Sequence, residues 1–182
     1  FLVSSLFYPG YSHVTQYARE LGSAKASGPM IFNGGISITG VASVVVGFGF
    51  YGALISMGSN RALSALLGLS VILLGASAIM AGVFPMPDPR HGAFGMGMGI
   101  HLSPMFLALA LHSDSRFRGL TIYLWVTFVL MLVFFVIMMG VGGLVTTSNV
   151  GVFQRLNALN MFPWIGIASW MLAGTGMRRA SV

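Results

Sequence analysis

The 182 residues are 56% hydrophobic and only 7% charged, with nine basic and three acidic side chains and a net charge of +6. An average soluble domain carries about 25% charged residues, so this chain has too little charge to cover a water-facing surface; a soluble globular domain and a disordered chain are both excluded. What fits is an integral membrane protein with several spans, and a chain without cysteine also has no disulfide, thiolate metal site or covalent c-type haem.

Taken in order, residues 1–8 read as the end of a first span, truncated at its N-terminus in this chain, and Pro9-Gly10 breaks the helix. Residues 11–29 are the longest polar stretch, and Tyr17 and Leu21 suggest a short interfacial helix ended by Gly22. A second span covers 30–56, with Gly35, Thr39, Ser43 and Gly47 four apart as a small-residue packing stripe. Gly58-Ser59-Asn60-Arg61 is a tight turn into a third span, 62–84. The loop Pro85-Met86-Pro87-Asp88-Pro89-Arg90-His91 leads to a fourth span, 94–111, which contains His101 and Pro104. A fifth span, 120–144, is the most apolar, and a sixth, 151–172, carries Gln154, Arg155, Asn157 and Asn160 in its first turns. The expected fold is an all-α bundle of six transmembrane helices in a single domain, 1–182.

Alternate connections lie on opposite sides of the membrane. One side receives Arg61, Arg116, Arg118, Arg178 and Arg179 with Asp114; the other receives Arg19, Lys25, Arg90 and Arg155 with Glu20 and Asp88. On the first side the arginines sit in short turns and the tail, as cytoplasmic anchors do. That side is read as cytoplasmic, with the C-terminus there and the chain in a bacterial inner membrane. Basic residues in so apolar a chain mark loops and lipid headgroups rather than nucleic acid.

The opposite side holds most of the chemistry. A candidate pocket gathers Tyr11, Ser12, His13, Arg19 and Glu20 from the first loop, Asp88, Arg90 and His91 from the third, and Gln154, Arg155, Asn157 and Asn160 from the start of span six. Polar groups at membrane depth are costly unless paired or functional. The competing reading is a set of interfacial loops whose charges pair with one another and with headgroups. His101 joins the candidates because it sits about 10 Å inside span four, where an ionisable residue is a functional hypothesis by default. Pro104 frees a carbonyl that His101 or a ligand can use; the alternative is a neutral histidine bonded to a neighbouring helix. His13, Asp88 and His91 offer zinc ligands, but without an HxxxH or HExxH spacing. No cofactor is expected apart from bound lipid. Retinal needs a mid-span lysine, and the one lysine, Lys25, lies in a loop; paired haem histidines are also lacking. Gly95-Met96-Gly97-Met98-Gly99 opens an apolar span, so it reads as a close helix contact with methionine filling rather than a nucleotide loop.

Five elements carry a family resemblance: Tyr8-Pro9-Gly10-Tyr11-Ser12-His13, Glu20-Leu21-Gly22, Asn33-Gly34-Gly35, Gly82-Val83-Phe84-Pro85 with Asp88, and Gly151-Val152-Phe153-Gln154-Arg155-Leu156. Together they resemble the bacterial membrane family catalogued as domain of unknown function 998, over nearly the whole chain. The resemblance implies a six-helix membrane protein and no particular chemistry. Similar members often carry an acidic residue where Gln154 stands, so the resemblance implies no charge pair at that position here.

Three functions remain open. The first is binding of a lipid or small molecule in the non-cytoplasmic polar pocket, with action on lipid headgroups as one form of it; Arg19, Arg90 and Arg155 suit a phosphate or carboxylate. The second is an accessory subunit packing in a larger membrane complex. The third is a small-solute transporter, for which only span four hints at a broken helix.

Overall fold

The computed structural model describes the backbone of residues 1–179, and side chains outside 92–94 and 175–179. Among the described residues every regular element is helical. Seven α-helices follow one another: α1 (Leu2–Ser5), α2 (Pro29–Ser56), α3 (Arg61–Val83), α4 (Ser103–Leu111), α5 (Arg118–Met138), α6 (Val150–Met161) and α7 (Pro163–Arg179). Four segments are long and apolar enough to cross a membrane: α2, α3, the continuous run Pro89–Leu111, and Ser115–Met138.

α2 and α3 form the most extensive contact in the molecule. Gly58, with φ of 77°, turns the chain, and the Asn60 side chain caps α3 by accepting the Ala62 and Leu63 N–H groups. The two helices then run antiparallel with their backbones in close approach. A Cβ on Gly75 would lie 2.5 Å from the Gly40 carbonyl oxygen, and one on Gly47 would lie 2.8 Å from that of Gly68. The contact glycines are thus seven apart, 40 and 47 on one helix against 68, 75 and 82 on the other. The expected stripe at 35, 39, 43 and 47 is not the interface. Gly35 and Thr39 are exposed and only Gly47 is buried. A step of four advances about 40° around a helix, whereas a step of seven drifts only about 20°. Only the seven-residue spacing therefore stays on one face.

Span four is a hybrid. Residues Pro89–Leu102 form a 3-10 helix that becomes α-helical at Ser103. In a three-residue turn, positions three apart eclipse, and Gly97, Ile100 and Ser103 are all buried. A Cβ on Gly97 would fall 2.6 Å from Ser77 Oγ of α3, so the glycine run does make a close helix contact. Met96 and Met98 do not fill it; they stand 44% and 47% exposed on the other faces.

The expected fifth and sixth spans are shortened and split. α5 ends at Met138, where Gly140 takes a left-handed φ of 85°. The helix expected over 151–172 divides at Phe162, because Pro163 has no N–H to continue the ladder. The apolar core lies between these elements, with Phe50, Leu67, Ile100, Leu107, Leu124 and Trp164 all at 2% exposure or less. Of the basic anchors expected at the cytoplasmic side, the Arg178 and Arg179 side chains lie outside the described residues.

Candidate functional site

The first loop folds back on itself. Gly10, at φ of 75°, turns the chain after Pro9. Ser12 then makes a side-chain turn, its Oγ accepting the Val14 and Thr15 N–H groups. Gln16 ties the loop together: its Oε1 accepts the Ser12 N–H at 2.7 Å, and its Nε2 donates to Glu20 Oε2 at 3.0 Å and to Tyr8 Oη at 3.5 Å. The other Glu20 oxygen accepts the Tyr17 N–H at 2.9 Å, so the carboxylate opens the 3-10 turn Ala18–Gly22 as a capping box. Positions 12, 16 and 20 are four apart. That spacing was the available signal for Gln16, which composition alone does not single out.

The start of α6 docks under this loop. The Gly151 and Val152 N–H groups both donate to the Val14 carbonyl, at 2.8 and 3.3 Å. The Gly151 N–H is among those a helix leaves without an internal partner, while the Val152 N–H is shared with the Asn149 carbonyl at 3.0 Å. The approach is so close that a Cβ on Gly151 would meet the carbonyl oxygens of His13, Val14 and Gln16 within 2.8 Å. One turn on, Gln154 Oε1 accepts the Ala18 N–H at 2.7 Å. Arg155 completes the junction: Nη2 donates to Tyr11 Oη at 2.6 Å, and Nη1 donates to the Gly151 and Gln16 carbonyls at 2.8 and 3.2 Å. All three acceptors are uncharged, and among the described residues no carboxylate lies within ion-pair distance of Arg155.

Tyr11 in turn donates to the Tyr17 carbonyl at 3.1 Å. Its ring packs edge-on against His13 and Tyr8, and His13 Nε2 lies 3.1 Å from Ser5 Oγ of α1. Burial pushes the Tyr11 phenol up from its ordinary 10.0, while the Arg155 guanidinium opposes the rise by stabilising the phenolate. Arg19 is exposed and stacks over the Tyr17 ring at 4.4 Å.

Asn33 links this assembly to α3. Its Nδ2 donates to the Gly22 carbonyl at 3.0 Å, while a Cβ on Gly82 would come within 2.6 Å of the Asn33 carbonyl oxygen. The third loop is stabilised by its own contacts. Asp88 caps the 3-10 helix through the Arg90 N–H and grips the Arg90 guanidinium through both carboxylate oxygens, at 3.0 and 2.7 Å. This holds the Asp88 carboxyl down at about 2. Arg90 also covers the Phe84 ring at 3.7 Å, and His91 Nδ1 lies 3.0 Å from the Phe84 carbonyl oxygen. Among the described residues, none of the three hydrogen-bonds to the first loop or to α6.

The remaining candidates lie deeper. Asn160 Nδ2 reaches the Thr127 carbonyl at 3.4 Å, and Asn157 Oδ1 is buried without a hydrogen-bond partner among the described residues. His101 is separate from the cluster. Its Nδ1 is 2.9 Å from the Met98 carbonyl oxygen and its ring packs on Phe135 at 4.8 Å. The carbonyl it uses is therefore not one released by Pro104, which sits at the start of α4 where an N–H has least to do. Among the described residues no three His, Asp or Glu side chains gather as a metal site. His13, Asp88 and His91 each have a different partner: Ser5, Arg90 and the Phe84 carbonyl.

Four membrane-length apolar helices with a polar assembly at one end define a multi-span membrane protein. The chain belongs to the family described as Protein of unknown function (DUF998), which matches residues 1–171. The resemblance read from the five sequence elements is thus borne out. Three of those elements, with Asn33 and Gly82 from the other two, are those the structure links through Arg155, Gln154 and Asn33. Comparison with curated proteins and with solved structures returned no match.

Proposed function

We propose that this chain is a six-span protein of a bacterial cytoplasmic membrane that binds an anionic small molecule or lipid headgroup at the Tyr11–Arg155 face. The first span ends in α1, α6 and α7 cross the membrane together around the Pro163 bend, and the Arg155 face is the non-cytoplasmic one. One observation carries the ligand: the half-buried Arg155 guanidinium is held by three neutral oxygens and no carboxylate. A half-buried cation with no directly paired carboxylate favours an anionic partner. Arg19 and Lys25, exposed on the same loop, add charge of the same sign.

Titration of the purified protein in zwitterionic nanodiscs with glycerol phosphate tests this reading. Saturable binding is expected, weakened in Arg155→Gln and in the surface variant Arg19→Gln/Lys25→Gln, which leaves the Arg155 contacts intact. Binding unaffected in both variants contradicts it.

A second reading, an accessory subunit, is favoured by the outer face of α2. Cβ atoms on Gly34 and Gly35 would meet nothing within 4 Å, and Thr39 is exposed beside them. Small residues on a lipid-facing surface let another helix approach closely. Cross-linking in native membranes that captures a constant partner at Gly35→Cys supports it, and recovery of the monomer alone contradicts it.

A further inference from the structure

We infer that the groove between α2 and α7 seats an acyl chain of an anionic phospholipid whose phosphate rests on Arg116. The groove holds about 400 Å³ and is lined by Val45, Gly49 and Ala53 of α2 and by Ser169 and Ala173 of α7, with Arg116 at one end. That volume falls within the range of small-molecule sites, roughly 300–1,000 Å³. The site lies at the opposite end of α2 from the Tyr11–Arg155 face and is independent of it.

Three features select the occupant. The first is length. The α2 wall runs from Val45 to Ser56, about 17 Å at 1.5 Å per residue. Half of a bilayer core is about 15 Å, so the groove is one leaflet deep. The second is its lining. The walls are mostly apolar, and small residues keep the trough open: a Cβ on Gly49 would meet nothing within 4 Å. A free phosphate has no use for such a surface.

The third feature is charge. Asp114 grips Arg116 through Nε and Nη2, which fixes the guanidinium and leaves Nη1 without a hydrogen bond among the described residues. Arg118, two residues on, is exposed and unpaired among the described residues, as is Arg61 at the same end of the molecule. Set against Asp114, these three arginines leave this end net positive. Each arginine near a membrane surface is attracted to anionic headgroups by about 1 kcal/mol.

The test uses the full chain in a neutral detergent and reads bound lipid by native mass spectrometry, with phosphatidylglycerol, phosphatidylcholine and inorganic phosphate as separate probes. Phosphatidylglycerol is expected to bind roughly tenfold tighter than phosphatidylcholine, given more than one cation near the headgroup. Arg116→Gln should cut that preference severalfold while a lipid is still retained, and an unchanged preference contradicts the placement of the phosphate on Arg116. Gly49→Phe fills the open trough and should remove both lipids; Ala173→Phe provides the same test from the other wall if the first variant does not fold. Unchanged phosphatidylglycerol binding in a folded groove-filled variant overturns the proposal. So does binding of inorganic phosphate as tight as that of the lipid, or a dimer that the groove-filling change dissociates.

Discussion

Tyr11 and Arg155 lie 144 positions apart in the chain, yet the phenol oxygen and the guanidinium meet at 2.6 Å. The contact joins the first polar loop to the last helical segment and closes the assembly at one end of the molecule. Replacing Arg155 with Gln deprives Tyr11 Oη and two carbonyls of a charged donor, and should cost about 1.5–3 kcal/mol. Tyr11→Phe should cost about 1 kcal/mol. Because both changes break one network, their effects should fall short of additivity in a double-mutant cycle of thermal unfolding in detergent. Simple addition would mean that the two side chains do not interact.

The Tyr11 phenol gives this junction a pH signature. Its pKa is raised above 10.0 by burial, and Arg155 works against the rise. The neutral phenol therefore contributes stability that is present below pH 10 and is lost as the pH rises through the folded-state value. The phenolate absorbance missing from Tyr11→Phe should titrate above 10. In Arg155→Gln it should move higher still, since the group that favours the phenolate is gone. A downward movement would contradict the geometry.

The glycines divide into two classes with opposite expectations. Gly75→Ala places a methyl 2.5 Å from the Gly40 carbonyl oxygen, so α2 and α3 must separate. Overpacking of this kind costs about 1–3 kcal/mol. Gly34→Ala meets open space and should be neutral or stabilising by up to about 1 kcal/mol through helix propensity. Unfolding midpoints of the two variants should move in opposite directions or differ clearly in size.

Gln154 ties the start of α6 to the first loop. Its Oε1 accepts a backbone N–H from Ala18, a role a carboxylate fills equally well. Gln154→Glu should therefore hold stability within about 1 kcal/mol. Gln154→Leu leaves the Ala18 N–H without that acceptor and should cost about 1–3 kcal/mol. Equal unfolding midpoints for the two variants would remove Gln154 from the junction.

Much of this was readable from the chain. Long apolar runs fix the number and extent of α2 and α3, because hydrocarbon thickness sets span length, and their observed bounds fall within a residue of those expected. The segments around Tyr11 and Arg155 were legible as one polar face because both fall on the same side when spans alternate. Which groups meet was not. Asp88, Arg90 and His91 share the composition of a site, but Asp88 lies two residues from Arg90, close enough to satisfy it locally. Span four was misread as an α-helix because a glycine-rich apolar run has the same composition in either helix type; only the burial of every third residue distinguishes them. The packing face of α2 was misassigned because small residues occur at both four- and seven-residue spacings, and only the partner helix selects between them.

The docking of residues 12–18 onto the start of α6 is the arrangement on which the rest depends. Val14 and Val152 are both exposed, and the Val14 carbonyl accepts the Val152 N–H at 3.3 Å. Because the chain has no cysteine of its own, the double variant Val14→Cys/Val152→Cys reports this contact without background. Mild oxidation in intact membranes should yield an intramolecular disulfide in most molecules, seen as a mobility shift that a reductant reverses. Failure to cross-link under conditions that oxidise a control pair within the first loop would contradict the account.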